Sequence, residues 1–216
     1  MSLRGEMRIV PHVPSAFAQL VTEEALRSIA LSGGDTARAC YQLFATAANV
    51  DWSGVDVFFG DERWVSIHDP DSNEGMARLA FLDELDPSWV HSLRHAGETI
   101  EEAAANYDTN LREFGPIDLV HLGLGPDGHT ASLFPGSPAL DEEGALVVPN
   151  PGDATHPHDR LTLTFPGIAR NRTVVFTVAG EGKREAFAQV RAGDDVPAAR
   201  VEAEHIIWLV DPAAAG

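Results

Sequence analysis

An aspartate and a histidine separated by one glycine, Asp127 and His129, are the residues best suited to chemistry in this chain. The apolar run Ile117–Leu124 precedes them and ends in Gly-Pro-Asp-Gly, a pattern typical of a strand that enters a tight loop. A histidine can take or give a proton near neutral pH, and an adjacent carboxylate can orient its ring. Ligands of open α/β sheets bind at this end of the strands. The alternative is a polar turn that faces water.

A glycine loop follows an earlier apolar run, in the sequence Leu-Ser-Gly-Gly-Asp-Thr at positions 31–36. Two glycines before a helix allow backbone N–H groups to approach a ligand, and a helix N-terminus favours an anion. We therefore predict that Ser32, Gly33, Gly34 and Thr36 bind a phosphate. The loop has neither the Walker spacing nor the dinucleotide-binding spacing. An ordinary turn, in which Asp35 caps the helix and points away, is the alternative.

A charged loop follows the apolar run Val55–Gly60 and contains Asp61, Glu62 and Arg63, with Asn73 further along the chain. We expect these side chains at the edge of the sheet where ligands bind. The alternative is a solvated run of charges with an internal ion pair.

Two cations complete the set of candidate binding residues. Lys183 is the single lysine among 15 lysines and arginines, and it stands at the predicted start of a helix. A cation there is disfavoured by the helix dipole, and a bound phosphate would offset this. Arg160 begins an apolar run and could bind the same anion with two hydrogen bonds, although a surface arginine is the alternative.

The segment Pro149–Asp159 contains two further histidines, His156 and His158, beside Asp153. It lacks the spacing of a typical metal site, so we predict a polar surface loop and no metal.

The elements that must position these residues alternate along the chain. Several apolar runs are apolar nearly throughout, as expected of strands that are buried on both faces. The predicted strands are Arg27–Leu31, Val55–Gly60, Ile117–Leu124, Ala145–Val148, Leu161–Phe165, Thr173–Ala179 and His205–Val210. The predicted helices are Ser15–Ala25, Thr36–Ala48, Ser72–Leu85, Glu98–Phe114 and Lys183–Arg191, with Ser72 and Thr99 as N-caps. This alternation predicts a mostly parallel sheet covered on both faces, in one domain over residues 1–216.

The composition restricts the class of partner. The 216 residues carry a formal net charge of −18, which argues against nucleic acid as a partner. A single cysteine, Cys40, excludes an internal disulfide and favours the cytoplasm. No run is long and apolar enough to cross a membrane, and no signal peptide is recognised. We therefore expect a small molecule as the partner.

Taken together, the motifs resemble the family of 6-phosphogluconolactonases, within the superfamily that also contains glucosamine-6-phosphate deaminase. The resemblance extends from about Leu31 to Val210. It rests on Leu31-Ser-Gly-Gly-Asp-Thr36, Gly60-Asp-Glu-Arg63, Asp71-Ser-Asn73, Gly123-Leu-Gly-Pro-Asp-Gly-His-Thr-Ala-Ser-Leu-Phe-Pro-Gly136, Arg160-Leu-Thr-Leu-Thr164, Gly180-Glu-Gly-Lys183 and Pro197-Ala-Ala-Arg-Val201.

The resemblance implies a three-layer αβα sandwich with a Rossmann-like sheet. It implies hydrolysis of 6-phospho-D-glucono-1,5-lactone in the pentose phosphate pathway by a monomer or homodimer, without metal or cofactor. His129 would be the general base and Asp127 would orient it. The remaining roles follow the motifs: Ser32, Gly33, Gly34, Thr36, Arg160 and Lys183 would hold the phosphate, Arg63 would join them or contact the sugar, and Asp61 and Asn73 are candidate sugar contacts. The family usually has Ser or Thr at Asp35 and a lysine in the loop that here holds His156 and His158, which could replace that lysine in contact with the substrate.

Two other functions are compatible with the same motifs. A hexosamine-phosphate isomerase or deaminase needs a glutamate five residues after the histidine, and Phe134 stands there. A sugar-phosphate sensor of a transcription regulator needs a DNA-binding segment, for which there is no room before Leu31. We therefore favour the lactonase.

Overall fold

A computed structural model describes residues 3–46 and 50–216 of the chain. Its main feature is a seven-stranded sheet in which every neighbouring pair of strands is parallel. The strands in chain order are β1 Glu6–Ile9, β2 Ser28–Leu31, β3 Asp56–Phe59, β4 Asp61–Arg63, β5 Trp89–Val90, β6 Leu119–Gly123, β7 Val147–Asn150, β8 Arg160–Leu163, β9 Thr173–Val178 and β10 His205–Val210. The order across the large sheet is β1-β10-β9-β6-β2-β3-β5.

Helices lie on both sides of this sheet, so the predicted α/β fold is confirmed. The α-helices are α1 Val13–Glu23, α2 Asp35–Phe44, α3 Asn73–Ala77, α4 Asp83–Leu85, α5 Ile100–Phe114, α6 Phe165–Ala169, α7 Arg184–Ala192, α8 Pro197–Arg200 and α9 Pro212–Ala215. A π-helical segment over Arg78–Leu82 joins α3 to α4. The predicted end of the second helix, Ala48, lies outside the described residues. The single-domain assignment over residues 1–216 stays a prediction.

The two predicted N-caps are confirmed by their hydrogen bonds. The Ser72 hydroxyl accepts from the Gly75 backbone N–H at 2.9 Å. Thr99 forms a capping box with Glu102, in which each side chain accepts from the other residue's backbone N–H.

A second, antiparallel sheet of three strands corrects part of the sequence prediction. It has the order β4-β8-β7, so two predicted strands belong to it rather than to the parallel sheet. Phe165, predicted as a strand residue, begins α6 behind the N-cap Thr164. Strand β4 was missed because the sequence Asp-Glu-Arg has no apolar residue, although Asp61 and Glu62 are buried.

Two further strands were missed for other reasons. The edge strand β1 has only four residues, all exposed, and the alternation of Met7 and Ile9 with charged residues is too short to identify a strand. Strand β5 has only two residues, which is too short for any periodicity.

The order of the strands places a crevice between β2 and β6. The chain leaves β2 for its neighbour β3 on one side, whereas β6 continues to β9 on the other side. The loops after β2 and β6 therefore diverge, and a parallel sheet binds ligands at such a switch point. The glycine loop follows β2 and the Asp127–His129 loop follows β6, so both open on this crevice.

Candidate active site

A cavity of about 230 Å³ collects most of the predicted site residues. It lies at the carboxyl ends of β2, β3 and β6, with contributions from β8 and from the segment after β9. The predicted residues that line it are Ser32, Gly33, Gly34, Asp61, Arg63, Asn73, His129, Arg160 and Lys183. Thr36 is not among the lining residues, because it already lies in the first turn of α2.

Asp127 and His129 form a hydrogen-bonded pair at the edge of the cavity. The Nδ1 atom of His129 lies 2.5 Å from Oδ1 of Asp127. Burial by itself would raise the pKa of Asp127, but the hydrogen bond and charge of His129 outweigh it and lower this pKa to about 2. The carboxylate thus stays ionised and holds Nδ1, which leaves Nε2 as the nitrogen available for proton transfer.

The backbone beside the pair explains why the loop needs glycine. A Cβ atom on Gly125 would stand 2.1 Å from Nδ1 of His129 and 2.7 Å from Oδ1 of Asp127. The Gly125 N–H also donates to the His129 carbonyl at 2.8 Å, which closes the loop. At Gly128 the backbone has φ +82°, a conformation that glycine adopts without strain. In the sequence Gly-Pro-Asp-Gly-His, the two glycines are therefore required by sterics and backbone conformation, and the aspartate and histidine form the hydrogen-bonded pair.

The glycine loop lies against the charged loop in the same cavity. A Cβ on Gly33 would stand 1.9 Å from the Asn73 side-chain oxygen, so the two loops meet without a gap. Gly34 has φ +91° and begins α2. Asp35 is exposed and pairs with Arg38 at 3.3 Å. This carboxylate does not line the cavity, which removes one objection to an anion there.

Buried carboxylates hold the charged loop in place. Glu62 accepts hydrogen bonds from the backbone N–H groups of Asn73 and Glu74, each at 2.7 Å, and from the Ser72 hydroxyl. Burial raises the pKa of Glu62, and these hydrogen bonds oppose that rise. The Asp61 side chain accepts from the Ser132 hydroxyl at 2.7 Å. Sequence reasoning assigned no role to Glu62, whose function is to join β4 to the start of α3.

Three cations face the cavity with unused hydrogen-bonding capacity. The Nε atoms of Arg63 and Arg160 are buried and have no hydrogen-bond partner among the described residues. Burial lowers the pKa of Arg160, and the nearby charge of Arg63 adds to this effect. Burial also lowers the pKa of Lys183, against the opposing charge of Asp127. An anion between these groups would supply the missing partners.

Phe134 and His156 also line the cavity; the sequence suggested a substrate contact for His156 and none for Phe134. Their rings stack with centroids 3.9 Å apart, and the Phe134 ring lies 4.8 Å from that of His129. The Arg160 guanidinium is 5.2 Å from the same phenyl ring. The apolar residue that takes the place of the isomerase glutamate is therefore in the site itself. His158 lies outside the cavity lining and pairs with Asp71 at 2.8 Å.

Three side chains of the site are of types that hold metal ions. One ligand atom each of Asp127, His129 and His156 lies within 4.8 Å of the other two. The chemistry of this set suits a transition metal. Since Asp127 is already hydrogen-bonded to Nδ1 of His129, the geometry suits proton transfer equally well.

Comparisons with known proteins identify the family of the chain. A family model described as glucosamine-6-phosphate isomerases/6-phosphogluconolactonase matches residues 7–208. The chain belongs to this family. A 6-phosphogluconolactonase of Synechocystis is 39% identical over 214 residues, covering 92% of this chain and 88% of the relative. One of Mycobacterium tuberculosis is 38% identical over 205 residues, covering 87% and 83%. Because these relatives are hydrolases, the prediction that the chain is a hydrolase is confirmed.

Solved structures of the family have the same fold. The 6-phosphogluconolactonase of Trypanosoma brucei aligns with a TM-score of 0.81 and 26% identity, covering 99% of this chain and 98% of that one. A monomeric glucosamine-6-phosphate deaminase aligns with a TM-score of 0.83 at 18% identity, covering 97% and 98%, which shows the shared fold alone. No helix among the described residues is long and apolar enough to cross a membrane.

Proposed function

We propose that this protein hydrolyses 6-phospho-D-glucono-1,5-lactone to 6-phospho-D-gluconate, a step of the oxidative pentose phosphate pathway. The observation that carries the proposal is that His129, hydrogen-bonded to Asp127, lines one cavity together with Arg63, Arg160 and Lys183. A base next to an anion site suits a substrate that bears an ester at one end and a phosphate at the other. The family membership supports the same substrate.

In the proposed mechanism, His129 Nε2 removes a proton from water while the water oxygen attacks the lactone carbonyl carbon. The ionised Asp127 stabilises the imidazolium through Nδ1. Collapse of the tetrahedral intermediate breaks the bond between the carbonyl carbon and the ring oxygen. The imidazolium returns its proton to that oxygen, and the new carboxylic acid ionises. A base of this kind contributes roughly 10²- to 10⁴-fold to the rate.

The phosphate would lie between the N–H groups of Gly33 and Gly34 and the side chains of Arg160 and Lys183. Arg63 adds a third cation at the same wall. Binding energy from this remote group fixes the sugar so that water, base and carbonyl carbon meet. Asp61 and Asn73 are the proposed sugar contacts, and backbone N–H groups of the Gly123–Gly128 loop are the proposed oxyanion donors.

The two alternatives account for less of the site. Ring-opening isomerisation needs an acidic group where Phe134 lies, and a phenyl ring transfers no proton. A sensor without catalysis does not need a histidine held by an ionised carboxylate. The cytoplasmic location and the monomeric or homodimeric state stay predictions.

The deciding experiment measures disappearance of freshly prepared 6-phosphogluconolactone, with unphosphorylated gluconolactone as the control substrate. We expect a kcat/KM at least about 100-fold higher for the phosphorylated lactone, because several charged hydrogen bonds are lost without the phosphate. Equal values for the two lactones would contradict the phosphate site. No turnover of either would contradict the lactonase.

A further inference from the structure

A buried chain of polar groups lies directly beneath the glycine loop and takes no part in the proposed mechanism. The Ser32 backbone N–H donates to the Tyr41 hydroxyl at 2.7 Å. That hydroxyl lies 2.8 Å from Nδ1 of His121, and Nε2 of His121 lies 2.8 Å from the Thr177 hydroxyl. The chain thus joins the loop after β2 to α2, β6 and β9.

Burial sets the protonation state of the imidazole in this chain. His121 is fully buried, and burial lowers its pKa to about 3, so the imidazole is neutral. A neutral imidazole accepts at one ring nitrogen and donates at the other, so His121 forms one hydrogen bond with each of the Tyr41 and Thr177 hydroxyls. The Tyr41 hydroxyl accepts from the Ser32 N–H and lies 3.2 Å from the Ser32 carbonyl, to which it can donate, so both backbone groups of Ser32 are within its reach.

We propose that Tyr41, supported by His121, is a positioning residue that holds the glycine loop at a fixed distance from the bound phosphate. Although Ser32 lines the cavity, its N–H points away from the ligand and donates to Tyr41. With that N–H held inward by Tyr41, the N–H groups of Gly33 and Gly34 are left for the ligand. The same anchor keeps Gly33 against Asn73, where there is no space for a side chain.

The proposal rests on the proposed function, because a positioned loop has a substrate to meet only if the phosphate binds there. It differs from simple core packing in what it predicts. Loss of the hydroxyl should act on substrate binding, whereas loss of packing should act on stability alone. Tyr41 and His121 are therefore not catalytic residues, since neither lines the cavity.

The test uses Tyr41→Phe, which removes the hydroxyl and keeps the ring contacts with Phe44 and Phe81. We expect KM for the phosphorylated lactone to rise about threefold to tenfold with kcat within about twofold, as for one lost hydrogen bond. The Ser32 amide should exchange with solvent faster, measured by NMR. Trp208→Phe is a control, since it removes a partly buried hydrogen bond, to the Arg4 carbonyl at 2.9 Å, outside the cavity. Its KM should not change.

The double variant Tyr41→Phe with His121→Phe separates positioning from stability. It removes the buried Nδ1 atom that Tyr41→Phe leaves without a partner, so part of the lost Tm should return while KM stays high. Recovery of KM together with Tm would overturn the proposal, as would an unchanged KM in Tyr41→Phe when the wild-type protein hydrolyses the lactone. If the wild-type protein does not hydrolyse it, the proposed function fails. Ser32 exchange then still tests the anchor, which faster exchange supports and unchanged exchange overturns.

Discussion

At the scale of single residues, the chemistry of the site rests on how each charged group is partnered. Asp127 is ionised because His129 holds it, and Glu62 is buried among backbone donors. Arg160 and Lys183 differ from both, since burial lowers their pKa values and no protein carboxylate pairs with them in the part of the chain that the structure describes. The two carboxylates have their hydrogen-bond partners in the free protein, whereas a bound anion would supply the partner of the two cations.

Replacement of the proposed base tests the chemical step. His129→Ala should lower kcat for the phosphorylated lactone by roughly 10²- to 10⁴-fold, the usual contribution of a positioned base. Binding of inorganic phosphate, measured by calorimetry, should change little because the anion contacts other side chains. His158→Ala is the control, since its ring pairs with Asp71 outside the cavity. A kcat within tenfold of the wild-type value would remove His129 from the mechanism.

Replacement of the single lysine tests the anion site. Lys183→Ala should raise KM for the phosphorylated lactone about 10- to 100-fold, the usual loss for a charged hydrogen bond, with a smaller effect on kcat. KM for unphosphorylated gluconolactone should not change. The neighbouring Arg184→Ala provides the control, because Arg184 pairs with Glu181 and the Ala213 carbonyl. An unaltered KM in Lys183→Ala would place the phosphate elsewhere.

The lowered pKa of Asp127 predicts a dependence of stability on pH. A carboxyl group whose pKa is lower in the folded state stabilises the protein above its unfolded pKa of about 3.9, and this contribution is lost as pH falls towards about 2. The advantage of the wild-type protein over Asp127→Asn in the free energy of unfolding should therefore shrink between about pH 5 and pH 3. Urea unfolding at three pH values measures it. If the difference stayed constant or grew, the contribution of Asp127 to the free energy of unfolding would not depend on its ionisation.

At the scale of elements, the site depends on loops whose glycines leave room for neighbouring side chains. Gly125 makes way for the Asp127–His129 pair, and Gly33 makes way for Asn73. Both loops follow strands of the parallel sheet, so the rigid strands fix where each loop starts. The missed strand β4 has the same role, since its pairing with β8 brings Arg63 opposite Arg160.

A single methyl group at Gly125 should disrupt the catalytic pair. In Gly125→Ala the new Cβ would overlap Nδ1 of His129, so the ring must move and kcat should fall at least about 100-fold. Gly54→Ala is the matched control, since its Cβ would meet no atom within 4 Å. Circular dichroism should show that both variants fold. Full activity in Gly125→Ala would show that the ring is not needed where it lies.

At the scale of the whole molecule, the fold brings three cations together in one crevice of an acidic protein. The formal net charge is −18, yet two arginines and the single lysine meet at the carboxyl ends of the central strands. A locally positive cavity of this kind can attract an anion although the overall field repels it.

The same cavity allows a test of the expected absence of a metal. If the Asp127–His129 pair acts through proton transfer and no ion bridges it to His156, dialysis against EDTA should leave kcat/KM within about twofold of its starting value. The assay is the disappearance of phosphorylated lactone before and after dialysis. Loss of activity that Zn²⁺ restores would show instead that these three side chains hold a catalytic ion.

Local patterns of residue type were sufficient to predict most of the parallel sheet and to select Asp127 and His129 as the candidate catalytic residues. Continuous apolar runs indicate buried strands, and Gly-Pro-Asp-Gly-His places a carboxylate two residues from an imidazole on one turn. Lys183 and Arg160 were also recognisable, the first as a cation where a helix should begin. Their separation along the chain left open whether they meet.

The tertiary structure alone decided which distant residues share the cavity. Phe134 stacks on His156 across 22 positions of the chain, and Tyr41 reaches His121 across 80. Two strands predicted for the parallel sheet lie in a separate antiparallel sheet, and Thr36 lies outside the cavity. Such contacts depend on the order of strands and on packing between elements, which short-range patterns of residue type do not encode.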